Sequence, residues 1–152
     1  MSDVCIIGSG VAGSSIAKLL SRKFDVHVFD KARGPGGRAS NKRFNKSYGF
    51  DHGVQYISPK SYEFKKFVNK LHKKKILKLW KGNHLDFSFE KKHPGAKYIG
   101  KKANNEICKY QLNGIKKSFF SQVTKIEYVK NNWEITVNKK SKFYYKRLII
   151  TC

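Results

Sequence analysis

The residues with the plainest chemical potential are Gly8, Ser9, Gly10, Val11, Ala12 and Gly13, a G-x-G-x-x-G run, and one acid further on, Asp30. Glycines at this spacing suit a phosphate. Gly8 permits a tight turn, Gly10 has no Cβ and lets a pyrophosphate approach the backbone, and Gly13 lets a following helix pack close to a sheet. The N–H groups of that helix's first turn, and the positive end of its dipole, would face the phosphates. Asp30 falls where a carboxylate can accept hydrogen bonds from a ribose 2′-hydroxyl, which favours an adenosine ribose without a 2′-phosphate.

Such a motif means little without the elements that position it. Val4-Cys5-Ile6-Ile7 is short, apolar and mostly β-branched, and reads as a buried strand. Val11 to Leu20 reads as a helix, and Asp25 to Asp30 as a second strand ending in the acid. The alternative, a glycine turn with no ligand, fits this whole arrangement poorly. Three glycines and a proline between Lys31 and Arg38 exclude regular structure and predict a loop. That loop leaves the carboxyl end of the second strand, where ligands sit in such sheets, so Arg33 and Arg38 can reach a pyrophosphate and Gly36-Gly37 lets the backbone pass close to it. The plain alternative is a surface loop with two solvated arginines.

The totals bound the rest. A chain of 152 residues predicts one core, and 39% hydrophobic with 14% aromatic residues is not a disordered composition. No stretch approaches a membrane span, and no signal-peptide layout precedes the first strand. Cys5, Cys108 and Cys152 are odd in number and lack metal-ligand spacing, so a reduced, cytoplasmic setting is the expectation, with Cys5 as packing. The net charge of +23 suggests either an anionic surface partner or compositional drift. Nearly all of it is dispersed lysine, with arginine only at Arg22, Arg33, Arg38, Arg43 and Arg147, which favours drift and no specific nucleic-acid partner.

The glycine run, Asp30 and Gly36-Gly37-Arg38 together resemble the flavin-binding signature of amine-oxidase-like FAD oxidoreductases. Phe29-Asp30-Lys31-Ala32-Arg33-Gly34-Pro35-Gly36-Gly37-Arg38 and Phe50-Asp51-His52-Gly53-Val54-Gln55-Tyr56 look most like the renalase-like branch. The similarity continues through Tyr98-Ile99-Gly100 to the closing run Arg147 to Thr151. It implies an α/β fold: a Rossmann-like FAD-binding domain whose parallel sheet carries an antiparallel β-meander crossover. Residues 1–58 and 95–152 would form that domain, discontinuous and incomplete, and residues 59–94 the start of a substrate-binding lobe. The implied cofactor is FAD. Lys31 joins its binding residues, Gly53, Val54 and Gln55 would lie beside the flavin ring, and the Val123 backbone would contact the adenine. The family's chains run on beyond this point, so a C-terminal half is expected as a partner, beside a small amine-like or dihydronicotinamide-type substrate that passes a hydride to flavin.

Elsewhere the pattern predicts an extended connection over 39–50 and a strand over Asp51 to Ser58 entering a turn at Pro59. His52 is either a hydrogen-bonded structural residue or, with Gln55, a polar group at the flavin edge. Phe64, Phe67, Val68 and Leu71 mark an amphipathic helix from Pro59 to about Lys73. Ile76 to Trp80 and His84 to Glu90 read as a hairpin whose Trp80, Phe87 and Phe89 either pack or line a pocket. Lys101 to Leu112 reads as a helix. Ser118 to Ser121 reads as a strand, followed by a meander of Val123–Val129, Trp133–Val137 and Lys142–Tyr145, and then a buried strand over Lys146 to Thr151. No nucleophile triad, paired carboxylate or metal cluster stands out, and no catalytic residue is assigned; a cofactor that carries the chemistry itself fits that pattern. Two other readings remain open: a nicotinamide-dependent dehydrogenase domain, and a basic, non-catalytic binding module on a degenerate Rossmann core.

Overall fold

The computed structural model describes residues 3–45, 48–82 and 95–152. In chain order the elements are β1 (Val4–Ile7), α1 (Val11–Leu20), β2 (Val26–Phe29), a 3₁₀ turn (Gly37–Ala39), β3 (Asn41–Arg43), β4 (Gly49–Asp51), α2 (Tyr62–Lys73), β5 (Leu77–Leu79), β6 (Tyr98–Gly100), α3 (Glu106–Gln111), β7 (Lys116–Ser118), β8 (Val123–Val129), β9 (Asn132–Val137), β10 (Ser141–Tyr145) and β11 (Arg147–Ile150).

The short apolar runs of β1 and β2 become strands buried on both faces, whereas the closing strand β11, expected to be buried, lies at the sheet edge with Arg147 and Ile150 exposed. β11, β1, β2 and β7 form a four-stranded, wholly parallel sheet in that order. Side-chain alternation sorts its two faces. Val4, Ile6, Val26 and Val28 pack with Ala17, Leu112 and Ile115 on the helical side. Cys5 and Phe29 pack with Ile135, Val137 and Tyr145 of the antiparallel meander β10-β9-β8 on the other. Helices, parallel sheet and meander make three layers, a Rossmann-like α/β architecture. Burial pushes the Cys5 thiol up to about 12, so it serves as core and not as a nucleophile.

The exception within β2 is His27, 3% exposed and facing the meander. Its Nδ1 is 2.7 Å from the Tyr145 hydroxyl and its Nε2 is 2.9 Å from Ser118 Oγ. Both ring nitrogens are therefore satisfied across the two sheets.

α2 follows the spacing that predicts it. Ser61 caps it by accepting the Phe64 N–H at 3.2 Å. Val68 and Leu71 are buried with Leu77, Ile107 and Cys108, but the aromatic end of the stripe stays near the surface, with Phe64 37% exposed. That cluster joins residues of the expected substrate lobe to α3.

Several local expectations need correction. Residues 39–50 hold the start of a small hairpin, in which Asn41 pairs with Asp51 and Arg43 with Gly49. The strand expected over Asp51 to Ser58 is absent past Asp51, apart from one bridge between Ile57 and Tyr98. Asn104 explains it: its side-chain N–H₂ donates to the Val54 carbonyl at 2.7 Å and the Gln55 carbonyl at 3.2 Å, in place of a ladder partner. The helix expected from Lys101 begins only at Glu106, because Asn104 Oδ1 accepts the Gly100 N–H at 2.9 Å and shapes a turn first. The strand expected over Ser118 to Ser121 instead lies earlier, at Lys116–Ser118, sharing only Ser118 with it, because Phe120 turns the chain at φ 54°. Leu77–Leu79 pairs with Tyr98–Gly100. The hairpin arm His84 to Glu90, with Phe87 and Phe89, lies outside the described residues. Among those described, no helix is long and apolar enough to cross a membrane.

Candidate dinucleotide site

The turn after β1 is held from three sides. Gly8, at φ 99°, donates its N–H to the Phe29 carbonyl at 2.8 Å, and a Cβ there would come within 2.8 Å of Thr151 Oγ1. A Cβ on Gly13 would meet the Gly8 carbonyl oxygen at 2.0 Å, so α1 docks on the turn only because Gly13 has no side chain. Gly10 differs. Its nearest neighbour for a Cβ is Gly37 Cα at 3.7 Å, an ordinary contact, so the protein's own atoms do not demand a glycine there. The N-terminus of α1 has no side-chain cap and no acid in its first turn. Its first-turn N–H groups lack intrahelical partners by geometry, and Gly10, Val11 and Ala12 face a cleft. An anion is the partner that this end of the helix fits.

Asp30 reaches back to the same turn. Its Oδ2 accepts the Ser9 N–H at 2.7 Å and the Ser9 hydroxyl, and its Oδ1 accepts the Ala32 N–H at 2.8 Å. A carboxylate has about four acceptor directions, so three are already engaged. A ribose hydroxyl would take the fourth, or displace the hydroxyl of Ser9.

The loop of Gly34 to Arg38 then closes over the turn. Gly10 and Gly36 form a parallel bridge, with the Gly36 N–H donating to the Ser9 carbonyl at 3.1 Å. Gly36 and Gly37 both adopt positive φ, 144° and 52°, which permits this approach. Asn105 anchors the loop from outside by donating to the Pro35 carbonyl at 3.2 Å.

The result is a cleft of about 890 Å³. Gly8, Ser9, Gly10, Val11 and Ala12 line one end. Asp30, Lys31, Gly37 and Arg38 line the side, and Val54 and Val123 the remaining wall. Other predicted residues lie elsewhere. Gly13 is beneath the turn. Arg33 borders a neighbouring pocket. Gly53 does allow a close backbone approach, but to the protein itself: a Cβ would meet the Arg38 carbonyl oxygen at 2.0 Å, and the Val54 N–H donates to that oxygen at 2.9 Å. Gln55 is exposed outside the cleft wall. His52 Nε2 is 3.0 Å from Ser40 Oγ.

Two site residues escape sequence reading. Thr151 Oγ1 donates to the carbonyls of Ile7 at 3.0 Å and Gly8 at 3.2 Å, and so braces the turn from below. Only the pairing of β11 with β1 reveals it. Asn104 holds the segment 51–55, since its N–H lies 3.2 Å from both carboxylate oxygens of Asp51. Its one sequence signal is a polar residue four positions after Gly100.

Residues 6–71 match the family described as the NAD(P)-binding Rossmann-like domain. Among solved structures, the tetracycline destructase Tet(51) is similar with a TM-score of 0.63 and 15% identity, over 99% of this chain and 38% of that one. A mutant cyclohexanone monooxygenase from Rhodococcus sp. Phi1, bound to NADP+, is similar with a TM-score of 0.56 and 19% identity, over 99% of this chain and 26% of that one. The chain thus spans well under half the length of either. At these identities the likeness establishes the fold. Fold and family match together define the class: a Rossmann-like α/β domain, of which residues 6–71 are similar to NAD(P)-binding domains.

Proposed function

We propose that the chain is the FAD-binding part of a flavin-dependent oxidoreductase. One observation carries the reading: Asp30 closes onto the N–H of Ser9 inside a single cleft that also holds the uncapped end of α1 and is bordered by Arg38. In this reading the first-turn N–H groups of α1, with Gly8 and Gly10, cradle the pyrophosphate. Gly13 seats α1 under it. Asp30 takes the adenosine ribose, Lys31 and Arg38 supply positive charge, and Val123 borders the adenine. Val54, fixed to Arg38 through the carbonyl that Gly53 admits, stands toward the flavin ring with Gln55 beyond it. Arg33 belongs to the adjoining pocket and is not required. When bound, FAD supplies a two-electron acceptor; the chain's residues bind, orient and shield it.

The finer features rest on motif similarity. The renalase-like runs Phe29 to Arg38 and Phe50 to Tyr56 favour an amine-like or dihydronicotinamide-type substrate, completed by a C-terminal portion of the enzyme. Unpaired cysteines, with Cys5 and Cys108 buried, support a reducing, cytoplasmic setting. No specific nucleic-acid or membrane partner is part of the reading. A second reading, an NAD(P)-binding domain of a dehydrogenase, draws on the matched family's description. Titration of the purified chain with FAD and with NAD, followed by flavin fluorescence and by calorimetry, separates them. FAD binding that weakens at least tenfold in both Asp30→Ala and Arg38→Ala supports the first. Binding of NAD with none of FAD overturns it.

A further inference from the structure

Beside the cleft lies a second cavity of about 600 Å³ with a different character. Its walls carry Arg33, Lys42, Arg43 and Lys109, and no aspartate or glutamate. Phe119 and Phe120 form its apolar side. Asp51, the nearby acid of β4, is engaged by the side chain of Asn41 and the N–H of Asn104 and is not among the walls.

Phe120 is the unusual member. It is bulky, 71% exposed, and held at φ 54°, a left-handed conformation that costs any residue with a Cβ. Two hydrogen bonds fix it there. Its N–H donates to the Ala32 carbonyl at 3.0 Å, and its carbonyl accepts from the Asn138 side chain at 3.0 Å. A strained backbone that presents an apolar ring to solvent points to a ligand for the ring. Another part of the lining is tied as well, since Asn105 of the α3 entry holds the Pro35 carbonyl. Four cations, two rings and two anchored walls suit one kind of molecule.

We propose that this cavity binds a small organic phosphate bearing a planar ring, at a site that adjoins the dinucleotide cleft along Ala32, Gly34 and Ser40 but has its own cations and rings. Arg33, Lys42, Arg43 and Lys109 neutralise the phosphate, and Phe119 and Phe120 take the ring. The volume accommodates a molecule of mononucleotide size.

The test is a fluorescence titration of the purified chain with 1-naphthyl phosphate in 150 mM sodium chloride, where diffuse surface attraction is screened. Saturable binding of one molecule per chain is expected. Inorganic phosphate alone and 1-naphthol alone should each bind at least tenfold more weakly. Arg43→Glu with Lys109→Glu should weaken binding at least tenfold. Lys65→Glu with Lys66→Glu, the same charge change on exposed positions of α2, should change it less than twofold. Phe120→Gly removes the ring yet suits the left-handed backbone, so it should weaken binding at least threefold without lowering the melting temperature. Arg38→Glu, in the dinucleotide cleft, should leave 1-naphthyl phosphate binding within twofold whether or not FAD binds. The proposal is overturned by no saturable binding at millimolar probe, by equal losses in the α2 control, by an undiminished affinity in Phe120→Gly, or by loss in Arg38→Glu equal to that in the Arg43 and Lys109 pair.

Discussion

Ser9 and Asp30, 21 residues apart, are joined twice: the N–H and the hydroxyl of Ser9 both donate to Asp30 Oδ2. The acid that a ribose would need is therefore also a brace for the glycine turn. Asp30→Ala should act on both. It strands the N–H groups of Ser9 and Ala32, a loss of about 2 kcal/mol in unfolding free energy. Ser9→Ala removes only the hydroxyl contact, costs about 1 kcal/mol, and opens an acceptor direction on the carboxylate. Urea unfolding of both variants checks the difference. Dinucleotide titration should then show Ser9→Ala binding at least as well as the parent chain while Asp30→Ala binds at least tenfold more weakly.

Gly13→Ala puts a methyl group 2.0 Å from the Gly8 carbonyl oxygen. Backbone lies on both sides of that contact, so neither partner can swing away. The expected loss is about 3 kcal/mol, read as a lower urea midpoint. Gly10→Ala, where a Cβ finds 3.7 Å of room, should cost under about 1 kcal/mol in the free chain, yet weaken dinucleotide binding strongly. A stable Gly10→Ala chain with undiminished dinucleotide affinity would refute the placement of the pyrophosphate.

His27 should make the fold sensitive to acid. Burial, then the charge of Lys116, lowers its pKa to about 4 from an ordinary 6.5, against a smaller upward pull from Asp25. The unfolded chain therefore takes up this proton first. Stability from this group is complete above pH 6.5 and falls as pH drops toward 4, by up to about 3 kcal/mol. Below that, both states are protonated and the loss levels off. Thermal unfolding between pH 4 and 7 should show the slope, and His27→Leu should flatten it even though that variant is less stable at neutral pH.

Arg38 and Arg33 lie five residues apart and border different cavities. Arg38→Ala should weaken FAD binding about tenfold, the scale of one charge-assisted contact, and Arg33→Ala less than twofold. Equal losses in both would merge the two sites into one.

The sequence showed the core of the site because local rules govern it. A four-residue apolar run, glycines at fixed spacing and an acid after the next strand constrain backbone and chemistry at once, and β1, α1, β2 and the meander follow. What stayed hidden depends on contacts between distant segments. Gly53 reads as room for a ligand, and only the fold shows the Arg38 carbonyl in that space. Asn104 looks like one more polar residue in a helix, but its side chain binds Gly100, Val54 and Gln55, which shortens α3 and keeps 52–58 from becoming a strand. The two arginines of one loop border different cavities, and nothing about a phenylalanine announces the left-handed turn at Phe120.

The bond from Thr151 Oγ1 to the Ile7 carbonyl spans 144 positions. The residues of the glycine turn are made early in synthesis, but the turn acquires this brace only when Thr151 has emerged from the ribosome. Contacts of such long range slow folding. A nascent chain would therefore carry an unfinished glycine turn until β11 has emerged and paired with β1, and the cleft should gain its final shape abruptly at that point.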